Sequence, residues 1–298
     1  MLRTNENRLV KTAVQGKPVN PGGPSGHGVN HDGIPVLLPS TGGITYNVKV
    51  GDSAFGWEAD HLEPCVSTLL NEEKRHDGPN SGYIFYSCMG NEAFLLGTGP
   101  EHKLEDHKGI VTGHHGGAEH LMIDFPDSVL EKMNYDSKIL VKAFGQGLKL
   151  IDYPDIFVYN LDPRLLHAMN IEENNGKLSV PVTMEIPAAL MGSGTGSLAM
   201  GKGDYDIMTT DRAYIKELGI DQMRLGDFVA IRDHDNSYGR SYRRGAITIG
   251  IIIHSDCVYA GHGPGVTTLL STNKALIEPR IDPEANIANR LQIGRSRV

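Results

Sequence analysis

A chain of 298 residues has room for one large or two modest cores, and its 36 glycines and 16 prolines interrupt it too often for a helical bundle. The formal charge of −8 argues against a general nucleic-acid binder, which needs a basic face to displace counterions from phosphate. Three scattered cysteines exclude a disulfide framework or a paired-cysteine zinc site, and no apolar run reaches the roughly 18 residues of a membrane span.

The N-terminus carries charges where a secretion signal would carry its apolar core, so a cytoplasmic location is expected. Residues 1–39 read as a Gly/Pro-rich arm, ending in VNPGGPSGHGVNHDGIPVLLP. In GGITYNVKVGD, Ile44, Tyr46, Val48 and Val50 alternate with polar residues, the period of a half-buried strand. SGYIFYS, NEAFLLG, GIVTG and AEHLMIDF follow as further short strands of a first β-rich lobe, residues 40–170. PDSVLEKM predicts a short helix, KILVKAFGQGLKLI a strand broken by glycine, and DPRLLHAM a helix capped by Asp162 with Pro163 in its first turn.

A second β-rich lobe is expected over residues 171–278. It begins with KLSVPVTMEIP and continues through a glycine-rich loop, Gly192 to Gly203, into YDIMTT. Asp211 is placed to cap the helix RAYIKEL and Gly219 to end it. LGDFVAI and AITIGIII predict neighbouring strands around a loop, DHDNSYGRSYRRG. The run Ala246 to Ile253, mostly β-branched and uncharged, reads as a strand buried on both faces. Residues 279–298 predict a C-terminal helix and tail. The fold class is thus mainly β, with two barrel- or sandwich-like lobes and short helices.

Candidate chemistry sits at strand ends. His254 and Asp256 follow the buried strand, His262 stands on a glycine turn, and Asp233 lies in the preceding loop. His61 and Glu63 in ADHLEP repeat the His-x-acid spacing, which in extended chain puts both groups on one face, as two ligands of one metal require. His114 and His115 form a second cluster, and on a strand they must point to opposite faces. Imidazole and carboxylate donors in this pattern suit a zinc-like divalent cation. His61, Glu63, His114, His115, His254 and Asp256 are therefore the candidate ligands, with Asp233 or His262 as general base.

The glycine-rich loop nearly matches a phosphate-binding loop, but Gly203 stands where Ser or Thr would hold magnesium, which excludes a nucleotide triphosphatase. Ser193, Thr195 and Lys202, with Arg240 nearby, remain candidate substrate contacts. None of the cysteines sits in an activating motif.

MGSGTGSLAMGKGDYDIMTTD, LGDFVAIRDHDNSYGRSYRRGAITIGIIIHSD and AGHGPGVTTLL resemble, over nearly the whole chain, an uncharacterised bacterial and archaeal family known as a domain of unknown function. That resemblance implies a β-rich fold of this length and no particular activity. GGITYNVKVGDSAFGWEADHLEPCVS is similar to the opening of the acetamidase and formamidase family, which implies amide hydrolysis. The expected function is metal-assisted hydrolysis of a small polar molecule, with metal-free anion binding as the alternative. A homo-oligomer is the expected assembly, since Tyr238, Tyr242 and the arginines around them also suit a subunit contact.

Overall fold

A computed structural model of the chain describes residues 2–22, 28–36, 38–97 and 103–298. Six short strands close into a barrel: Thr12–Pro18, Val66–Leu69, His120–Asp124, Lys108–His115, Glu92–Leu96 and Lys138–Ala143, in that spatial order. Alternation fills it. In Lys138–Ala143, Ile139, Val141 and Ala143 are buried while Lys138 and Lys142 face out. A closed barrel leaves no free edge, so its strands can be short without inviting association.

The second lobe is a six-stranded sheet in the order Met184–Pro187, Phe228–Asp235, Ser241–Ile252, Gly265–Thr272 and Tyr205–Asp206, with Phe157–Val158 paired beside Gly265–Thr272. The run from Ala246 to Ile253 is buried throughout, as its composition predicts. One face, carrying Ile247, Ile249, Ile251 and Ile253, joins the core cluster of the barrel. The other presents Ile252 to a second core that includes Ile186, Val229 and Ile231. A two-faced strand thus ties the lobes together and holds whatever follows it in a fixed position. The chain is mainly β.

Local signals for helices hold where the caps are explicit. Asp162 accepts from the Arg164 N–H at the start of Pro163–Ala168, and Asp211 caps Arg212–Glu217, which ends at Gly219 with φ of 69°. PDSVLEKM keeps only Asp127–Leu130 as helix.

Other expectations are corrected. SGYIFYS is helix, Gly78–Tyr86, because Pro79 sits in a first turn after Asp77, and Tyr83 and Ile84 supply a buried face. Tyr83 packs over Gly16, where a Cβ would lie 2.5 Å from its ring, and its hydroxyl meets Thr68 at 2.8 Å. GGITYNVKVGD is not a strand: Val48, Lys49 and Val50 are all buried in succession, and Lys49 N–H turns onto Asp52 at 2.9 Å. Within the expected N-terminal arm, Thr12–Pro18 is a barrel strand paired with Lys138–Ala143. DHDNSYGRSYRRG is the tip of a hairpin rather than a free loop, since Phe228–Asp235 and Ser241–Ile252 stay paired through His234 and Tyr242.

The C-terminal segment is not a detached tail either. Ile277–Ile281 runs parallel to Lys177–Val182, the helix Ile287–Leu291 is capped by Asn286, and Arg295 and Arg297 grip Asp52 and Asp124 of the first lobe.

Candidate metal centre

Three imidazoles from three elements meet where the barrel joins the second sheet. His115 ends a barrel strand just after a register shift between Val111 and Gly113, a bulge that re-aims the residues beyond it. His254 follows the buried central strand. His61 comes from a loop in which its own φ is 49°. Ring centroids lie 4.4 Å apart for His115 and His254, 4.9 Å for His61 and His254, and 5.7 Å for His61 and His115. One ligand atom from each lies within 4.8 Å of the others.

Each ring is held from behind. His61 Nδ1 bonds Asp60 Oδ2 at 2.9 Å, His115 Nδ1 bonds Glu63 Oε1 at 2.5 Å, and His254 Nδ1 bonds the Ser255 carbonyl at 2.8 Å. Carboxylate and carbonyl oxygens only accept, so each Nδ1 carries a hydrogen, and Nε2 is the nitrogen left to carry a proton or to bind a cation in its place. This outer support, a carboxylate or carbonyl on the far nitrogen, is how metal-binding histidines are oriented. Glu63 is fully buried and also accepts from Gly42 N–H, the Ser67 hydroxyl and His120 Nδ1.

Two buried carboxylates close the set. Asp204 Oδ2 lies 3.1 Å and Asp206 Oδ1 3.4 Å from His254 Nε2. Among the described residues neither His254 Nε2 nor Asp204 Oδ2 has a well-directed hydrogen bond, although both are buried and face each other at 3.1 Å. A lone pair facing carboxylate oxygens is repulsive until a proton or a cation stands between them. Burial opposes charge on His254, but the two carboxylates outweigh it and hold its pKa well above the usual range. Burial likewise opposes charge on His61, and Asp206 and Asp60 overcome it to raise that pKa. Burial would raise the Asp204, Asp206 and Glu63 carboxyls, yet the surrounding imidazoles pull all three below their ordinary values.

His61, His115, Asp204 and Asp206 form the floor of a cavity of about 380 Å³, walled by Gly116, Glu119, Ser193, Lys202, Tyr205 and His262 among others. His262 Nδ1 bonds Asp206 Oδ2 at 2.6 Å and approaches His61 Nε2 at 3.2 Å. Lys202 reaches across to Glu119 at 2.8 Å and Ser81 at 3.1 Å. The floor depends on Gly265, where a Cβ would fall 2.0 Å from Asp204 Oδ2 and 2.4 Å from His254 Nε2. If this floor holds a divalent cation, Gly265→Ala is expected to weaken its binding by about tenfold or more, since it displaces both Asp204 and His254. Zinc titration of the stripped protein checks this, and overpacking should cost stability by only about 1–3 kcal/mol.

The structure gathers His61, His115, His262, Ser193, Lys202 and Arg240 at this cavity, with His254 buried in the same ligand cluster, and sets the other expected residues apart. Glu63 does not share a face with His61, because the positive φ at His61 breaks the extended chain; it stands behind His115 instead. Asp256 turns to Thr209 and Arg212, and Asp233 is the bulge residue of Phe228–Asp235, bonded to Gly245 N–H. Thr195 is exposed and outside the cavity lining. Arg240 is buried with its guanidinium on the carbonyls of Ala199, Lys202 and Asp204, so it braces the glycine-rich loop and the Asp204 backbone. In that loop the N–H groups of Ser193, Thr195, Gly196 and Ser197 donate to carbonyls, which removes them from an anion cradle.

His114 points the other way, as strand alternation requires: its Nε2–H donates to the Ser87 carbonyl at 2.6 Å and its Nδ1 is buried without a partner. Burial pushes its pKa down to about 4. The unfolded chain then takes up a proton near pH 6.5 that the folded chain refuses, so stability is full above 6.5 and falls toward pH 4. One such group accounts for about 3 kcal/mol across that window. In His114→Gln, whose amide reaches the same carbonyl, denaturant unfolding between pH 4 and 6.5 should lose that share of the slope.

Asp204 and Asp206 were not among the sequence candidates. The signal was present: Asp-x-Asp on a strand sets both carboxylates on one face.

Fold and site define a mainly β protein with a His/Asp cluster on the floor of a polar cavity. The chain belongs to the family described as Domain of unknown function (DUF4438), whose N-terminal model matches residues 27–167 and whose C-terminal model matches residues 168–291. The crystal structure of TM1086 is similar at 44% sequence identity and a TM-score of 0.89, covering 97% of this chain and 98% of that one. No curated protein matches the chain.

Proposed function

We propose that this protein is a metal-dependent hydrolase of a small polar molecule, with an amide as the favoured substrate class. The observation that carries the reading is the convergence of His61, His115 and His254, each tied at Nδ1 and with one ligand atom from each inside 4.8 Å, beside the buried Asp204 and Asp206 that His254 Nε2 faces at 3.1 and 3.4 Å. Nitrogen donors with carboxylates suit zinc-like first-row cations rather than magnesium or calcium. A bound cation supplies Lewis acidity and activates water near neutral pH.

The chain's own groups do the rest. His262 lines the same cavity and is the available proton acceptor. Lys202, Glu119 and Ser193 present charge and hydroxyl to the opposite side, which favours a polar substrate over an apolar one. The similarity of residues 42–67 to the opening of the acetamidase and formamidase family supports an amide. Metal analysis of protein purified without a histidine tag tests the reading. Co-purifying zinc, manganese, iron or cobalt that is lost to chelator with a drop in melting temperature is expected. No bound metal, and no stabilisation by any of these ions, would sink it.

A further inference from the structure

We infer that the centre is built for two cations, bridged by the Asp206 carboxylate; this rests on the metal reading above and adds a second site to it. Asp206 faces two ways. Its Oδ1 lies 3.4 Å from His254 Nε2, and its Oδ2 lies 2.6 Å from His262 Nδ1 and 3.8 Å from His61 Nε2. Two donor groups follow, one on each side. The first has His254 with Asp204 at 3.1 Å, and His115 stacks beside His254 at 4.4 Å between centroids. The second has His61 and His262 at 3.2 Å between nitrogens, with Cys257 Sγ in the same 4.8 Å group.

An imidazole nitrogen has one lone pair and serves one ion, so a single tetrahedral ion cannot use this set. Metal–nitrogen bonds of about 2.0–2.1 Å give donor separations of roughly 3.3 Å in a tetrahedron. The edges around each proposed position, 3.1 and 3.4 Å on one side and 2.6, 3.2 and 3.8 Å on the other, bracket that value. Each ion then has four protein donors: His115, His254, Asp204 and Asp206 Oδ1 for the first, and His61, His262, Cys257 and Asp206 Oδ2 for the second. His254 Nε2 and Asp204 Oδ2, buried 3.1 Å apart and without a well-directed hydrogen bond among the described residues, point to the first position independently of the carboxylate count. Zinc-like ions can expand from four to five ligands, which leaves a place at each for the attacking or leaving group of a hydrolysis.

The test is stoichiometry on the full chain. Stripped protein is titrated with zinc and with cobalt, and metal content is measured after dialysis, for wild type, His262→Ala and Cys257→Ser. His262 is partly exposed and its removal spares the core, and unchanged far-ultraviolet dichroism confirms folding. Two equivalents in wild type, one in His262→Ala, and a thiolate-to-cobalt charge-transfer band lost in Cys257→Ser are expected. Manganese loading should give an exchange-coupled spin signal that Asp206→Asn removes. One equivalent in wild type, held equally by His262→Ala, overturns the two-ion centre and leaves the metal reading intact. Two equivalents retained by His262→Ala overturns the second ligand set. No equivalents in wild type removes both readings.

Discussion

On the proposed reading of a metal-dependent hydrolase, His254→Ala should lose divalent-cation binding by about a hundredfold or more and, with it, activity. Structural zinc is held by about 10–16 kcal/mol, and a quarter share of that is roughly 3 kcal/mol, or two decades in affinity. His254 should exceed an average ligand because of where it stands. It follows the strand that both cores bury, so its Nε2 is placed without side-chain search, and it faces both carboxylates, Asp204 at 3.1 Å and Asp206 at 3.4 Å. Its loss also leaves Asp204 and Asp206 facing each other with less neutralising charge in a buried site, which costs about 3–5 kcal/mol when a buried ion pair is broken. Isothermal titration gives the affinity and denaturant unfolding of the stripped protein gives the stability. A His254→Ala protein that binds zinc within a few-fold of wild type would place the cation elsewhere.

The second large effect belongs to a residue that touches no cation. Glu63→Gln is expected to lower metal affinity by about 10–100-fold, the usual loss when an outer carboxylate is removed from a ligating histidine. It is also expected to destabilise the stripped protein by roughly 3–5 kcal/mol. Glu63 accepts hydrogen bonds from Gly42 N–H, the Ser67 hydroxyl, His115 and His120 while fully buried. A carboxylate has acceptors at both ends for these donors. A glutamine has one acceptor oxygen, and its NH2 end would confront N–H groups with another donor. The His115 ring then loses both its tautomer and its orientation. Chemical denaturation with and without zinc separates the two effects: stability should fall in both, and the extra stabilisation by metal should shrink. A Glu63→Gln protein of wild-type stability would mean that the carboxylate is already protonated.

Much of the frame was legible in the chain because it rests on local rules. Asp162 with Pro163, and Asp211 with Gly219, mark helix ends by cap chemistry confined to a few residues. The β-branched run Ala246 to Ile253 is buried on both faces, and adjacent His114 and His115 diverge as a strand demands. These readings need only backbone period and side-chain type. They failed where a single dihedral departs from the regular value. His61 at φ of 49° cancels the same-face argument for Glu63, and the aromatic residues of Gly78–Tyr86 suggested a strand although Pro79 favours a helix start.

The sequence by itself determined the fold class, the rigid strand that ends in His254, and the polar residue types from which a cation site can be built. Tertiary structure decided which of them meet. His61, His115 and His254 are brought together by the joining of the barrel to the second sheet, and Asp204 and Asp206 arrive from a glycine-rich segment braced by Arg240. Convergence of side chains from distant segments depends on how whole sheets pack, and packing is set by many summed apolar contacts. Spacing along the chain records which groups share a strand face; it does not record which strand ends meet.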